Sequence, residues 1–240
     1  MSFPVEQSRL RDPSKRPVET PLPAPRPRRQ AHEGRYARLE PLDPARHGPE
    51  LYPLGHADEA GLRTWDYLPY GPFASEAEHR AWLEARAAAD DPFFYAIVDR
   101  ASGKAVGLGT LMSIVPEQGR IEIGHLWFSP VLQRTPAATE AIFLMLRHAM
   151  DDLGYRRMEW KCDAANLPSR RAAKRFGYQY EGIFYNHLVV KGENRDTAWY
   201  SILDEEWPRL RRQFEAWLDP ANFDEQGRQR VSLADLTRPE

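Results

Sequence analysis

Ser129-Pro-Val-Leu-Gln-Arg-Thr-Pro-Ala-Ala-Thr-Glu140 is a tight basic turn between an alternating strand, 120–128, and an amphipathic helix, 135–153. A strand that runs through such a turn into a helix start leaves backbone N–H groups without intrahelical partners. It also presents the positive end of the helix dipole, so the place is suited to phosphate groups. The rest of the chain reads as a sheet and pocket built around a phosphate-bearing cofactor docked there.

Working outward, the segments before the turn are strand-like. Phe93-Phe-Tyr-Ala-Ile-Val98, then 104–115, then 120–128 alternate and are joined by the turns 99–103 and 116–119, which predicts an antiparallel meander. Gly107, Gly109 and Gly124 inside these strands mark bulges or the close approach of a ligand. After the turn, Ala138, Ile142, Met145, Leu146 and Ala149 share one face of the helix, and Gly154 stops it. A strand at 156–162 and a helix at about 167–176 follow. Strands at 178–190 and 197–203 flank the polar turn Lys191-Gly-Glu-Asn-Arg-Asp196, and a helix at 204–218 closes the chain.

Toward the N-terminus, Arg35-Tyr-Ala-Arg-Leu-Glu-Pro-Leu42 reads as a first strand, and Asp43-Pro44 opens a helix over about 44–58. The aromatic loop Thr64-Trp-Asp-Tyr-Leu-Pro-Tyr-Gly-Pro-Phe73 follows. Ser75 and Glu78, at capping-box spacing, open a helix that reaches about Ala89. The order β-α-α-β-β-β-α-β-α-β-β predicts one α/β domain, residues 34–218, with a mixed, mostly antiparallel sheet of about seven strands flanked by helices. Residues 1–33, with seven prolines and the run Arg26-Pro-Arg-Arg29, read as a mobile arm, and 219–240 as a polar tail.

Composition bounds the function. A chain of 240 residues that is 42% hydrophobic and 28% charged has room for one substantial core and the make-up of a soluble globular protein. The net charge of −2 provides no global basic field, which argues against nonspecific nucleic-acid binding. Cys162 is the single cysteine, so no intramolecular disulfide forms and no cysteine-based metal site is expected. No apolar run approaches the roughly 20 residues that span a bilayer. The first residues lack a signal pattern, and the cytoplasm is the default location.

Four stretches together resemble the GCN5-related N-acetyltransferase superfamily, in its branch of ribosomal-protein N-terminal acetyltransferases like RimJ and RimL. They are 35–42, Ile121-Glu-Ile-Gly124 with Ser129-Pro130, Ala138-Thr-Glu-Ala141, and the block Asn166-Leu-Pro-Ser169, Lys174-Arg-Phe-Gly-Tyr178, Glu181-Gly182. The resemblance covers about 34–206, and its last block is the most specific. The aromatic loop and Leu132-Gln-Arg-Thr135 are also similar to the microcin C self-immunity acetyltransferase domain. In one respect the chain departs from the family. The usual turn, Gln/Arg-x-x-Gly-x-Gly/Ala, becomes Gln133-Arg-Thr-Pro-Ala-Ala138, which lacks both glycines and has a proline without an N–H.

The resemblance implies transfer of an acetyl group from acetyl-CoA to an amine by direct attack, with no metal. Acetyl-CoA would be held by Leu126, Phe128, Gln133, Arg134, Thr135, Ala137, Ala138, Thr139, Asn166 and Ser169, with amides 134, 135 and 137–139 as donors. Ser169 would give a proton to the departing thiolate, with a helix-cap or first-turn serine the plain alternative; for Asn166 the alternative is also a helix cap. Glu122 or His125 would take the amine proton, unless each is simply a sheet residue. Trp65, Tyr67, Tyr70, Trp127, Tyr185 and His187 are candidates for the acceptor pocket, with core packing the alternative for the aromatic loop. The acceptor would be a small-molecule amine, of amino-acid or aminoacyl-nucleotide type, or a protein N-terminus. From another class, the glycine-free turn fits a noncatalytic acyl-CoA-binding module. The oligomeric state stays open.

Overall fold

The structure, a computed structural model, describes residue 11 and residues 17–238; most of the expected arm, 1–10 and 12–16, lies outside the described residues. Eight strands form one sheet in the order β1-β2-β3-β4-β5-β6-β8-β7. They are β1 (His32–Glu33), β2 (Ala37–Pro41), β3 (Phe93–Asp99), β4 (Ala105–Val115), β5 (Arg120–Phe128), β6 (Arg157–Asp163), β7 (Gln179–Val190) and β8 (Glu193–Leu203). The helices are α1 (Pro44–His56), α2 (Glu59–Arg63), α3 (Glu76–Ala87), α4 (Pro136–Arg147), α5 (Leu167–Arg175), α6 (Trp207–Leu218) and α7 (Leu233–Leu236).

Helix starts follow their caps. The Asp43 side chain accepts from Ala45 and Arg46 N–H, Ser75 from Glu78, Thr135 from Ala138 and Asn166 from Ser169. Each satisfies a donor that has no carbonyl one turn earlier. The meander β3-β4-β5 is antiparallel, and the crossover through α4 makes β5 and β6 the one parallel pair in the sheet of described residues. A π-helical turn, His148–Asp152, extends α4 to the expected length.

The sheet has a core on each face. One lies under α4 and α6 and includes Ile121, Ile123, Ile142, Met145, Met158, Phe176 and Phe214. The other lies under α1 and α3 and includes Leu51, Trp65, Leu83, Phe94, Leu108 and Trp127. Gly124 is a packing glycine: a Cβ there would stand 2.3 Å from the Met112 sulfur.

Several boundaries differ from expectation. β8 begins at Glu193, so the polar turn shrinks to Lys191 and Gly192, both at positive φ (52° and 83°), the conformation a two-residue hairpin needs. The short helix α2, capped by Asp58, was not expected. Within the expected arm, Ala24 and His32 are buried, and β1 adds an edge strand. Within the expected tail, Leu233 and Thr237 are buried, and Thr237 Oγ1 donates to the Arg175 carbonyl at 3.0 Å. Spaced apolar residues that dock onto the core are enough to fix an otherwise polar segment.

Candidate active site

The parallel pairing of β5 and β6 runs only from Arg120↔Arg157 to Ile123↔Trp160. Beyond it, β5 stays with β4 as far as Phe128, while β6 stays with β8 as far as Asp163. The sheet therefore opens into a V between Gly124–Phe128 and the end of β6. A cavity of about 1010 Å³ occupies this opening and continues past the start of α4. The divergence begins at an extra residue in β5. Leu108 faces Trp127 and Thr110 faces Gly124, so two steps on β4 match three on β5, and His125 takes a left-handed φ of 46°.

Nine of the ten residues expected at the cofactor line this cavity; Ala137 is buried behind it. In the turn, Arg134 has a φ of 63° and exposes its side chain. The expected set of free amides is smaller than five. Thr135 N–H donates to the Leu132 carbonyl at 3.3 Å, and Ala138 N–H is taken by the Thr135 hydroxyl at 3.2 Å. The shortfall is offset by side chains that the sequence did not reveal. Arg175 is half-buried in the wall, stacked 4.9 Å from the Trp217 ring, and donates to Thr139 Oγ1 at 3.0 Å. Burial draws its pKa below the usual arginine value. Phe223 and Gln229 bring the C-terminal segment to the same wall.

Asn166 and Ser169 serve both readings of their motif. The Asn166 carbonyl oxygen accepts the Ser169 N–H at 3.0 Å, a helix cap, and both residues line the cavity. Trp160 Nε1 donates to Ser169 Oγ at 3.1 Å, and the same hydroxyl also hydrogen-bonds the Cys162 sulfur. The buried Cys162 thiol nearby is pushed up to about 11, first by burial, so it stays protonated.

Glu122 and His125 are not in the wall of this cavity; they lie toward the face covered by α1–α3. Tyr70 O–H and His125 Nδ1 are 3.0 Å apart, with the Tyr70 and Phe94 rings each 5.5 Å from the imidazole. Burial, then the charges of Arg86 and Arg195, lower the His125 pKa to about 4. Lys161 Nζ is 2.6 Å from Glu122, and Ser113 Oγ donates to the same oxygen at 2.9 Å. Burial pushes the Glu122 carboxyl above its ordinary range despite these partners.

The expected acceptor residues divide. Tyr67 lines the cavity, and its hydroxyl reaches the Ala165 carbonyl at 3.4 Å. Trp65 and Trp127 are instead fully buried and stacked 5.0 Å apart. Their N–H groups are held by the Gly55 carbonyl and the Thr64 hydroxyl, so they are core residues that brace the loop. Tyr185 is 75% exposed and lies outside the cavity wall. His187 is exposed too, with Nδ1 3.0 Å from Thr197 Oγ1. The cause is a bulge around Asn186 (φ 50°), which interrupts the alternation of β7. Lys191, at the tip of the β7–β8 hairpin, donates to the Trp65 carbonyl at 3.0 Å. Among the described residues, no helix is long and apolar enough to cross a membrane.

A family model of the acetyltransferase (GNAT) domain matches residues 37–179. The chain is similar to a GCN5-related N-acetyltransferase from Brucella melitensis, with 48% identity and a TM-score of 0.89 over 92% of this chain and 99% of that one. It is 34% identical over 86 residues to the uncharacterized N-acetyltransferase YnaD of Bacillus subtilis, which is 36% of this chain and 50% of that one. The match thus spans half the length of that curated relative. The microcin C7 self-immunity acetyltransferase MccE, in complex with acetyl-CoA and AMP, shares the fold at 20% identity and a TM-score of 0.62 over 71% of this chain and 93% of that one.

Proposed function

The chain belongs to the GNAT acetyltransferase family, and we propose that its acceptor is the primary amine of a small molecule, of amino-acid or aminoacyl-nucleotide type. The observation that carries this reading is the bridging of the acceptor side. Tyr67 reaches Ala165 and Lys191 reaches Trp65, so the aromatic loop is tied across the opening of the sheet to the β6–α5 and β7–β8 connections. An aromatic loop tied down on both sides of the opening suits a small acceptor, whereas a protein N-terminus needs an open groove.

The residues present fit acetyl-CoA. The V between β5 and β6 admits an extended arm, and the start of α4 with Arg134 and Arg175 offers charge and N–H donors to phosphates. Acetyl-CoA, when bound, supplies an activated acetyl thioester. Asn166 and Ser169, which line the cavity, would hold the arm, and the Ser169 hydroxyl, whose oxygen accepts the Trp160 N–H, would supply the proton that the leaving thiolate needs. His125 is uncharged near pH 7. In the tautomer that donates Nδ1–H to Tyr70, its Nε2 keeps a lone pair, but a pKa held at about 4 makes it too weak a base to hold an amine proton near pH 7. Glu122 is engaged by Lys161 and Ser113, and it anchors that ammonium beside the compartment. A protonated Cys162 supports direct attack without an enzyme-bound acetyl group.

Calorimetry with acetyl-CoA, followed by thiol release over a panel of small amines and N-terminal peptides, tests the reading. Turnover on small amines is expected. Faster turnover on peptides would move the assignment to a protein N-terminal acetyltransferase, and binding without turnover would move it to an acyl-CoA-binding module.

A further inference from the structure

At the end of α4 remote from the cavity, three ligand-type side chains meet. His148 and Asp152 stand four residues apart in the π-helical turn, with His148 Nδ1 2.9 Å from Asp152 Oδ2. His32 on β1 lays its ring against His148, the centroids 4.1 Å apart. Each of the three offers one nitrogen or oxygen within 4.8 Å of the other two, and none of them lines the cofactor cavity. Both histidines are buried, at 7% and 2% exposure, whereas the Asp152 side chain is 52% exposed and opens the cluster to water.

The protein does not complete these groups by itself. The Asp152 carboxylate accepts the Nδ1 proton of His148, so that ring keeps its lone pair on Nε2. The buried Nε2 has no hydrogen-bond partner among the described residues. A buried polar atom left unpaired is costly, and an unmatched lone pair beside a second imidazole calls for an electron-pair acceptor. Tyr95 holds the other ring, with its hydroxyl 3.3 Å from His32 Nε2. The neighbouring acid, Asp151, is taken by Trp207 Nε1 and Arg211. Asp152, in contrast, has no lysine or arginine in ion-pair reach among the described residues. Arg147 precedes His148 and turns its guanidinium to the Phe143 ring, 5.7 Å away. The carboxyl end of a helix also favours a cation.

We propose that His32, His148 and Asp152 bind a divalent transition-metal ion, with zinc the best fit and water as the fourth ligand. Two imidazoles and one carboxylate suit zinc, cobalt or nickel, whereas calcium and magnesium take oxygen donors. Bonds of about 2.0–2.2 Å put tetrahedral ligands roughly 3.3 Å apart, so a small turn of the exposed Asp152 side chain closes the set. The ion joins β1, at the edge of the sheet, to the end of the helix whose start faces the cofactor cavity. It fastens these elements and takes no part in acetyl transfer, so the inference stands apart from that reading.

The test is calorimetry with zinc chloride on the full chain, first freed of metal by a chelator, together with melting curves with and without zinc. A single site is expected, with a Kd of about 10 μM or tighter; it is weaker than a closed four-ligand site because one position is left to water. The melting temperature should rise with zinc concentration. Cobalt chloride, as a second probe, should give the visible absorption of a four-coordinate ion. His32→Gln and Asp152→Asn should each weaken zinc binding about tenfold or more, at least the loss that removal of an outer-shell partner causes. Asp152 is half exposed, so Asp152→Asn should keep the melting temperature of the metal-free chain and report on binding alone. No heat at about 1 mM zinc, an affinity that either folded variant leaves unchanged, or a melting temperature that zinc does not raise would overturn the proposal.

Discussion

Replacing Glu140 tests whether the cofactor-turn helix is locked to the sheet by one carboxylate. Glu140 lies in the first turns of α4 and is 5% exposed. One of its oxygens accepts the Arg35 N–H at 2.9 Å, and the other accepts those of Tyr36 and Ala37 at 2.5 and 2.7 Å. Hydrogen bonds to a charged group contribute about 1.5–3 kcal/mol each, and a buried donor left unpaired costs about 1–3 kcal/mol. Water can reach the amides of Arg35 and Tyr36 once the side chain is gone, but Ala37 is fully buried. Glu140→Ala should therefore lose about 3–5 kcal/mol, a large part of the roughly 5–15 kcal/mol that holds a domain folded. Glu140→Gln keeps one acceptor oxygen and turns the other into a donor that faces donors, for a loss of about 2–3 kcal/mol. Urea unfolding at constant slope measures both. Gly34→Ala should act in the same direction, because a Cβ there would stand 2.4 Å from the Glu140 carboxyl carbon. A loss below about 0.5 kcal/mol for Glu140→Gln, the size of a neutral surface change, would refute the locking argument.

Two further outcomes are expected. Ser169→Ala should lower turnover about a hundredfold while acetyl-CoA affinity changes little, because a proton donor acts on the reaction rather than on binding; unchanged turnover would remove Ser169 from that role. Stability should fall on acidification. Burial is the largest cause that holds His32, His79 and His125 at about 4, below the usual 6.5, so the unfolded chain binds protons first. The stability from these groups is complete above about pH 6.5 and is lost as pH drops toward 4, with a ceiling of roughly 3 kcal/mol per histidine. A melting temperature that stays level from pH 7 to 4.5 would contradict this.

The sequence made local features readable and left long-range ones hidden. The meander, the crossover and the caps at Asp43, Ser75 and Asn166 follow from neighbouring residues, and the structure has all of them; the cap at Thr135 was not expected. The two readings of Asn166 and Ser169 proved compatible, since a capped helix start can also face a cavity. Trp65 and Trp127 show the limit of composition: an aromatic loop looks the same in sequence whether its rings face a ligand or each other. The bulges at His125 and Asn186 re-aim side chains that alternation would have assigned otherwise. Arg175 and Trp217 meet only through the fold, so no spacing announces them. The C-terminal wall, outside the family match at 37–179, left no motif either.

The most direct test of the central claim, that the opening between β5 and β6 holds acetyl-CoA, is hydrogen exchange on the full chain with and without saturating acetyl-CoA. Strong protection is expected at 126–139 and 166–176, with weaker protection at 223–229. Unchanged exchange in those segments, or protection found only elsewhere, would contradict the placement of the cofactor and the mechanism built on it.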